Sequence, residues 1–167
     1  LYGAFGNWTY SKNQLGFTVG LHANQYDRRH TGSVNTSGKL YQNTGYKDEL
    51  SAFTKATYRI GRAELFADLQ YRTVAFKYEG SVALPRLDWQ FFNPKAGISF
   101  YLNKELVVYY SVGKTGREPT RNDLFGGNDD LLADSTGEAL IFVSNPESVV
   151  DHEWGIRFRR DRLHLSV

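Results

Sequence analysis

Residues 63–76 read AELFADLQYRTVAF, and the fold turns on their spacing. Ala63, Leu65, Ala67, Leu69 and Tyr71 share one parity, while Glu64, Asp68, Gln70 and Arg72 share the other. Side chains alternate across a strand with period two, so this stretch is a strand with one apolar and one polar face. The pattern spreads in both directions. Leu15, Phe17, Val19, Leu21 and Ala23 alternate with Gly16, Thr18, Gly20, His22 and Asn24. Leu50, Ala52, Ala56, Tyr58 and Ile60 oppose Glu49, Ser51, Lys55, Thr57 and Arg59. Further along, Phe92, Ala96, Ile98, Phe100 and Leu102 oppose Asn93, Lys95, Gly97 and Ser99. Leu106, Val108, Tyr110 and Val112 then oppose Tyr109, Ser111, Gly113, Thr115 and Arg117.

This spacing predicts eight strands, near 1–10, 14–29, 46–60, 62–79, 91–102, 105–117, 148–160 and 163–167. Short turns fall at SKN, GR, NKE and RDR, and long connections are expected at 30–45, 80–90 and 118–147. The fold class is therefore all-β, an antiparallel up-and-down meander with short turns on one side and long loops on the other. That is the layout of outer-membrane β-barrels. A soluble sandwich also alternates, but several of these strands exceed the roughly 9–11 residues that cross a bilayer at a tilt. Aromatics also gather near strand ends (Trp8, Tyr10, Tyr26, Tyr58, Trp89, Phe91 and Phe92), where interfacial girdles form.

Composition narrows the function. The 11 Tyr, 11 Phe and 3 Trp beside 16 Gly favour pleated structure. With 20 Lys and Arg against 18 Asp and Glu, the charge is nearly balanced, which argues against a nucleic-acid partner. Cysteine is absent, so disulfides, thiolate metal sites and cysteine nucleophiles are excluded. The segment VGKTGREPTRNDLFGG holds Gly-Lys-Thr, but a phosphate loop needs a glycine where Val108 stands, so no nucleotide site is expected. His22, His30, His152 and His164 lack metal-ligand spacing, and no cofactor or catalytic residue is expected. The acidic stretch NDDLLADSTGE lacks the ligand order of a calcium loop and reads as a solvated surface loop. Both termini begin or stop as if within a strand, so 1–167 is expected to be one partial barrel domain, without a plug domain, cut from a longer chain.

Three segments in order, FFNPKAGISFYLN, YYSVGKTGREPTRNDLF and NPESVVDHEWGIRF, resemble the barrel of TonB-dependent outer-membrane receptors. ELSAFTKATYRIG and AELFADLQYR are similar to the strands that precede them in that family, so the resemblance covers nearly the whole chain. His152 stands where a tyrosine is common, and Arg117-Glu118-Pro119 is one of two frequent variants. The resemblance implies a plugged barrel of about 22 strands, of which this chain supplies a part. It implies outer-membrane lipid, the plug of the same chain, TonB and a metal-chelate ligand, commonly an iron-siderophore, as partners. It also implies a Gram-negative outer-membrane location and no enzyme activity.

By parity Arg117, Glu153 and Arg157 face the lumen, and with Glu118 they are the candidate lumen or plug-contact residues, since a buried charge needs a partner. Arg28, Arg29 and His30, at the top of a strand, are the candidate ligand-binding residues; anionic siderophore or lipopolysaccharide phosphate would suit such a cluster. Two other functions fit parts of the pattern: a small eight-stranded outer-membrane barrel with a structural or adhesive role, and a soluble carbohydrate-binding β module. An isolated piece would expose two strand edges and is expected to self-associate through them.

Overall fold

The computed structural model describes residues 1–36 and 38–167. Eight strands follow in order: β1 (Tyr2–Lys12), β2 (Leu15–Val34), β3 (Gly38–Ile60), β4 (Ala63–Glu79), β5 (Leu84–Tyr101), β6 (Leu106–Arg117), β7 (Glu147–Arg160) and β8 (Leu163–Ser166). One short helix, α1 (Arg121–Phe125), lies between β6 and β7. The strands form a single sheet in sequence order, each antiparallel to the next.

The tight turns explain which residues sit in them. Asn13, Gly61 and Asp161 take φ of 53°, 55° and 49°, the left-handed region where Asn, Asp and Gly are at least cost. At the β5–β6 turn, the Asn103 carboxamide oxygen accepts the Glu105 and Leu106 N–H groups at 2.8 and 2.9 Å, an Asx turn.

At the opposite end two of the three expected long connections are strand instead. Pairing continues to Val34↔Gly38 and to Tyr78↔Leu84, so β3 reaches 23 residues and β5 begins at Leu84. The β2–β3 extension, HTGSVN at 30–35, carries no apolar alternation, whereas in the β4–β5 extension Leu87 and Trp89 alternate with Arg86, Asp88 and Gln90. The backbone ladder needs no such alternation and simply goes on. Only the third connection, 118–146, is a long loop.

Register assigns every side chain to a face. Val19, Thr54, Leu69 and Pro94 form one cross-strand row, and Leu21, Ala52, Tyr71 and Phe92 the next. Both rows lie on the outer face, where Leu65, Leu69 and Tyr71 are 40, 41 and 47% exposed. The inner rows are polar and better covered: Gly20, Phe53, Gln70 and Asn93, then His22, Ser51, Arg72 and Phe91. Ser51 and Ser111 on this face are buried. A soluble half-buried sheet hides its apolar face. This one hides its polar face, as the concave side of a barrel wall does.

Inner-face aromatics lie flat over glycines of the neighbouring strand. Phe53 covers Gly20, Phe66 covers Gly97 and Tyr109 covers Gly155, each ring occupying the space a Cβ would take. Large rings are thereby stored against the wall. Glycine supplies the room.

Toward the long-loop end the polarity inverts. From Thr73 upward the outer face of β4 and β5 carries Lys77, Glu79, Arg86, Asp88 and Gln90. The inner face there carries Val74, Phe76, Tyr78, Trp89 and Phe91, and the main apolar core lies against it, completed by Leu124, Phe125 and Leu131 of the loop. The apolar outer band below thus occupies roughly 9–11 residues of each of the long strands, the length that spans hydrocarbon at a tilt.

Candidate functional site

The site is built where the 118–146 segment turns inward over the upper wall. Pro119 follows β6 and cannot donate to a ladder, so pairing stops. Thr120 then caps α1: its hydroxyl oxygen accepts the Asp123 N–H at 3.3 Å, and the Asp123 carboxylate accepts the Thr120 N–H at 2.7 Å. This is a reciprocal capping box with Asp in the third position. The Thr120 hydroxyl and N–H also hold the Asp123 pKa below its usual value. Gly126, at φ 59°, closes the helix in the left-handed conformation.

α1 turns Leu124 and Phe125 onto the wall, where they are 2 and 1% exposed, and Phe125 meets Tyr78 edge to face at 5.2 Å. Burying such side chains is worth about 1.5–3 kcal/mol each. The returning chain is fixed as well: Phe142 N–H donates to Leu124 C=O at 3.0 Å, and the Trp89 indole N–H donates to Ser144 C=O at 3.1 Å. The segment expected to be a solvated surface loop is therefore a packed lining of the inner wall, because its apolar residues match the inverted polarity of the upper strands.

Two carboxylates fasten it. Asp130 accepts from the Asn43 amide at 2.9 Å, from the Ser81 hydroxyl at 3.0 Å and from the Tyr78 hydroxyl, joining β3, β4 and the β4–β5 turn. Burial alone would raise its pKa, but the hydrogen bonds from Tyr78, Asn43 and Ser81 hold it below the usual value. Asp134 is likewise occupied, accepting the Thr136 and Glu138 N–H groups at 2.8 and 3.0 Å. Among the described residues no acidic or histidine cluster suited to a metal ion forms.

Glu118 is the second fastener. It pairs with Lys47 and, at 2.8 Å, with Arg72, whose other nitrogen reaches Glu49 at 3.3 Å. The Glu118 side chain is only 10% exposed. Burial pushes its pKa up, but the Lys47 hydrogen bond, its own backbone N–H and the Lys47 and Arg72 charges outweigh that and leave it lowered.

The other lumen candidates are more open. Arg117 faces inward at the top of β6 and pairs with Glu147 of β7 at 2.8 Å, both largely exposed. Glu153 faces inward and lies 3.6 Å from Lys95. Arg157 faces inward over the Tyr109 ring, 3.3 Å from the Ser99 hydroxyl. These three do not converge with Glu118. Arg28 and His30 both line an open cavity of about 600 Å³ beneath the loop, with Lys47, Trp89, Glu118 and Arg121. Arg29, of opposite parity, projects from the outer face. The ligand-binding trio is thus split by the strand pleat. Burial and the charges of Arg121 and Arg28 lower the pKa of His30, which stands far above the apolar band.

Sequence reasoning missed Lys47, Arg72, Arg121 and Asp130. For Arg121 and Asp130 a signal existed: Thr120-x-x-Asp123 is a helix start, and Leu124, Phe125 and Leu131 are too apolar for a solvated loop.

Comparison with known proteins agrees with this architecture. A solved structure titled "Copper transporter OprC" superposes with a TM-score of 0.74 at 15% sequence identity, covering 97% of this chain and 28% of that one. The chain therefore spans little more than a quarter of that protein's length. No curated protein sequence matches the chain. The model of the family described as "TonB dependent receptor-like, beta-barrel" matches residues 1–167. With that match over the whole chain, this protein belongs to the TonB-dependent receptor-like β-barrel family.

Proposed function

We propose that the chain is part of the outer-chamber wall of a TonB-dependent transporter in the outer membrane of a Gram-negative bacterium. The observation that supports this reading most is the polarity inversion along β4 and β5, with an inward-folded loop packed on the upper lumen wall. Such a wall forms a chamber open to the outside above a bilayer-spanning band. Its cargo is captured and passed on unchanged, without enzyme chemistry. A plug from elsewhere in the parent chain fills the lumen below, and TonB supplies the pull. Glu153 and Arg157, inward-facing and incompletely paired, are the residues available to that plug.

The cargo in this reading is an iron-siderophore or related chelate. Copper is named for OprC, which shares 15% sequence identity with this chain. Detached from its parent, the segment pairs with other copies along the free edges of β1 and β8, as exposed edges do.

The test is uptake of radiolabelled ferric chelates by two strains, one lacking the parent gene and the other lacking TonB but keeping the parent. Loss of uptake in both strains supports the reading. Uptake that persists without TonB contradicts the transport mechanism, and a defect confined to another nutrient contradicts the iron assignment alone.

A further inference from the structure

Four successive outer-face rows cross the sheet where the apolar band ends. From below they run Val19, Thr54, Leu69, Pro94; then Leu21, Ala52, Tyr71, Phe92; then Ala23, Leu50, Thr73, Gln90; then Gln25, Asp48, Ala75, Asp88. Residues two apart on a strand share a face, so the rows make one continuous surface. Two hollows lie in it, one directly above the other. The lower is a groove of about 680 Å³, with Gly6 and Ala52 as its floor, Trp8 as one bank and Tyr71 and Phe92 as the other. The upper is a niche of about 180 Å³ that includes Asp48, Thr73, Arg86, Asp88 and Gln90. They meet where the Tyr71 hydroxyl donates to the Gln90 amide oxygen at 3.0 Å.

The groove lies within the apolar band and the niche just above it, at the height of lipid headgroups. Hydrocarbon gains nothing by transfer from other hydrocarbon, so the groove holds a chain through packing contacts alone. Small residues between rigid rings give one acyl chain contact on three sides. Selection among lipids therefore falls to the niche. Arg86 pairs with Asp88 through Nε at 2.8 Å. Asp48, on the far side of Ala75, makes no ion pair among the described residues, so the niche holds two carboxylates to one guanidinium. The two rows above are balanced, Asp27 with Lys77 and Arg29 with Glu79. The surplus negative charge thus belongs to the niche. A lipid headed by phosphate alone, such as lipid A or phosphatidylglycerol, adds to that surplus. Phosphoethanolamine removes it, bringing an ammonium for the carboxylates and a phosphate for the outer nitrogens of Arg86.

We infer that this outer-face site binds one phosphatidylethanolamine molecule, an acyl chain in the groove between Trp8 and Tyr71 and the headgroup on Asp48 and Arg86. The assignment rests on the outer face meeting a bilayer, and goes beyond it by naming the lipid.

The experiment is native mass spectrometry of the intact parent receptor in mild detergent, with phosphatidylethanolamine and phosphatidylglycerol of identical chains supplied in equal amounts, and lipid A in a parallel sample. One phosphatidylethanolamine should be retained in several-fold excess over either competitor. Asp48→Asn should lower its retention roughly tenfold, the worth of one charge-assisted hydrogen bond, and leave phosphatidylglycerol unchanged. Gly6→Phe should abolish retention of both, since a side chain at Gly6 meets nothing of the wall within 4 Å and projects into the groove. Equal retention of phosphatidylglycerol or lipid A, an unchanged lipid ratio in Asp48→Asn, or full retention in Gly6→Phe overturns the site. The membrane reading is judged apart from this, by whether the receptor inserts into vesicles of any composition.

Discussion

The lower and upper halves of this wall are made of the same strands and obey opposite rules. Below Thr73, β4 turns Leu65, Leu69 and Tyr71 outward and Asp68, Gln70 and Arg72 inward. Above it, Lys77 and Glu79 point outward while Val74, Phe76 and Tyr78 point inward and are covered by Leu124, Phe125 and Leu131. The backbone does not change. What changes is the solvent on the outer side, from hydrocarbon to water, and so the face that needs cover. A barrel wall of this kind has two hydrophobic interfaces of different origin, one supplied by lipid and one by its own loop.

In the lower half the comparison can be broken on the outer face. Leu69→Arg places a charge in the middle of the outer band and should cost about 2–4 kcal/mol of folding into vesicles. Lys77→Glu, on the outer face above the boundary, should change folding by no more than about 0.5 kcal/mol. Equal effects would mean that the outer face meets one solvent throughout.

In the upper half, Phe125→Ala removes the most buried ring of the loop core, and truncations of this kind cost about 3–5 kcal/mol. The loss should fall on the loop. Limited proteolysis between residues 126 and 140 should quicken while the barrel stays resistant to extraction. Asp130→Asn keeps the shape but weakens the bonds from Asn43, Tyr78 and Ser81, for which about 1–3 kcal/mol is expected. It should appear as faster hydrogen exchange at the Leu131 amide, whose N–H donates to Asp130 at 3.0 Å.

Acid should release the same loop. Asp130 and Glu118 both have lowered pKa values in the folded state. Their contribution is complete above the ordinary carboxylate range and is lost as pH falls through the lowered values. Cleavage of the loop by an acid-active protease should therefore rise steeply only below the usual carboxylate range, and Glu118→Gln should flatten that rise. A small effect is expected at Gly20→Ala. The Phe53 ring occupies the place of the new methyl and must swing aside, at about 1 kcal/mol in thermal stability.

Much of the lower half was legible in the sequence, because lipid on one side and lumen on the other write period two into residues such as Leu65 to Arg72. Strand order and inward parity of Arg117, Glu153 and Arg157 followed from that same pattern. The upper half was harder. In 30–45 the ladder continues without apolar alternation, and a polar run such as 30–36 looks the same as a loop; in 80–90 the alternation of Leu87 and Trp89 with Arg86, Asp88 and Gln90 was there but short. The site was least legible, since Lys47, Arg72 and Glu118 lie far apart along the chain and meet only through register. The grouping of Arg28 and His30 with Arg121, and the exclusion of Arg29, likewise need the pleat and the fold of the loop. The capping box at Thr120 was written locally and could have been read.

The central claim is the reversal of facing at Thr73, and one labelling scan tests it most directly. Single cysteines, which the segment otherwise lacks, are placed at each residue from Glu64 to Tyr78 in the intact receptor and spin-labelled in bilayers. Accessibility to lipid-soluble and water-soluble relaxants is then read at every position. The account predicts lipid contact at Leu65, Ala67, Leu69 and Tyr71, water at Lys77, and shielding from both at Val74 and Tyr78. Lipid contact that continues through Lys77, or free water access at Val74 and Tyr78, would contradict it.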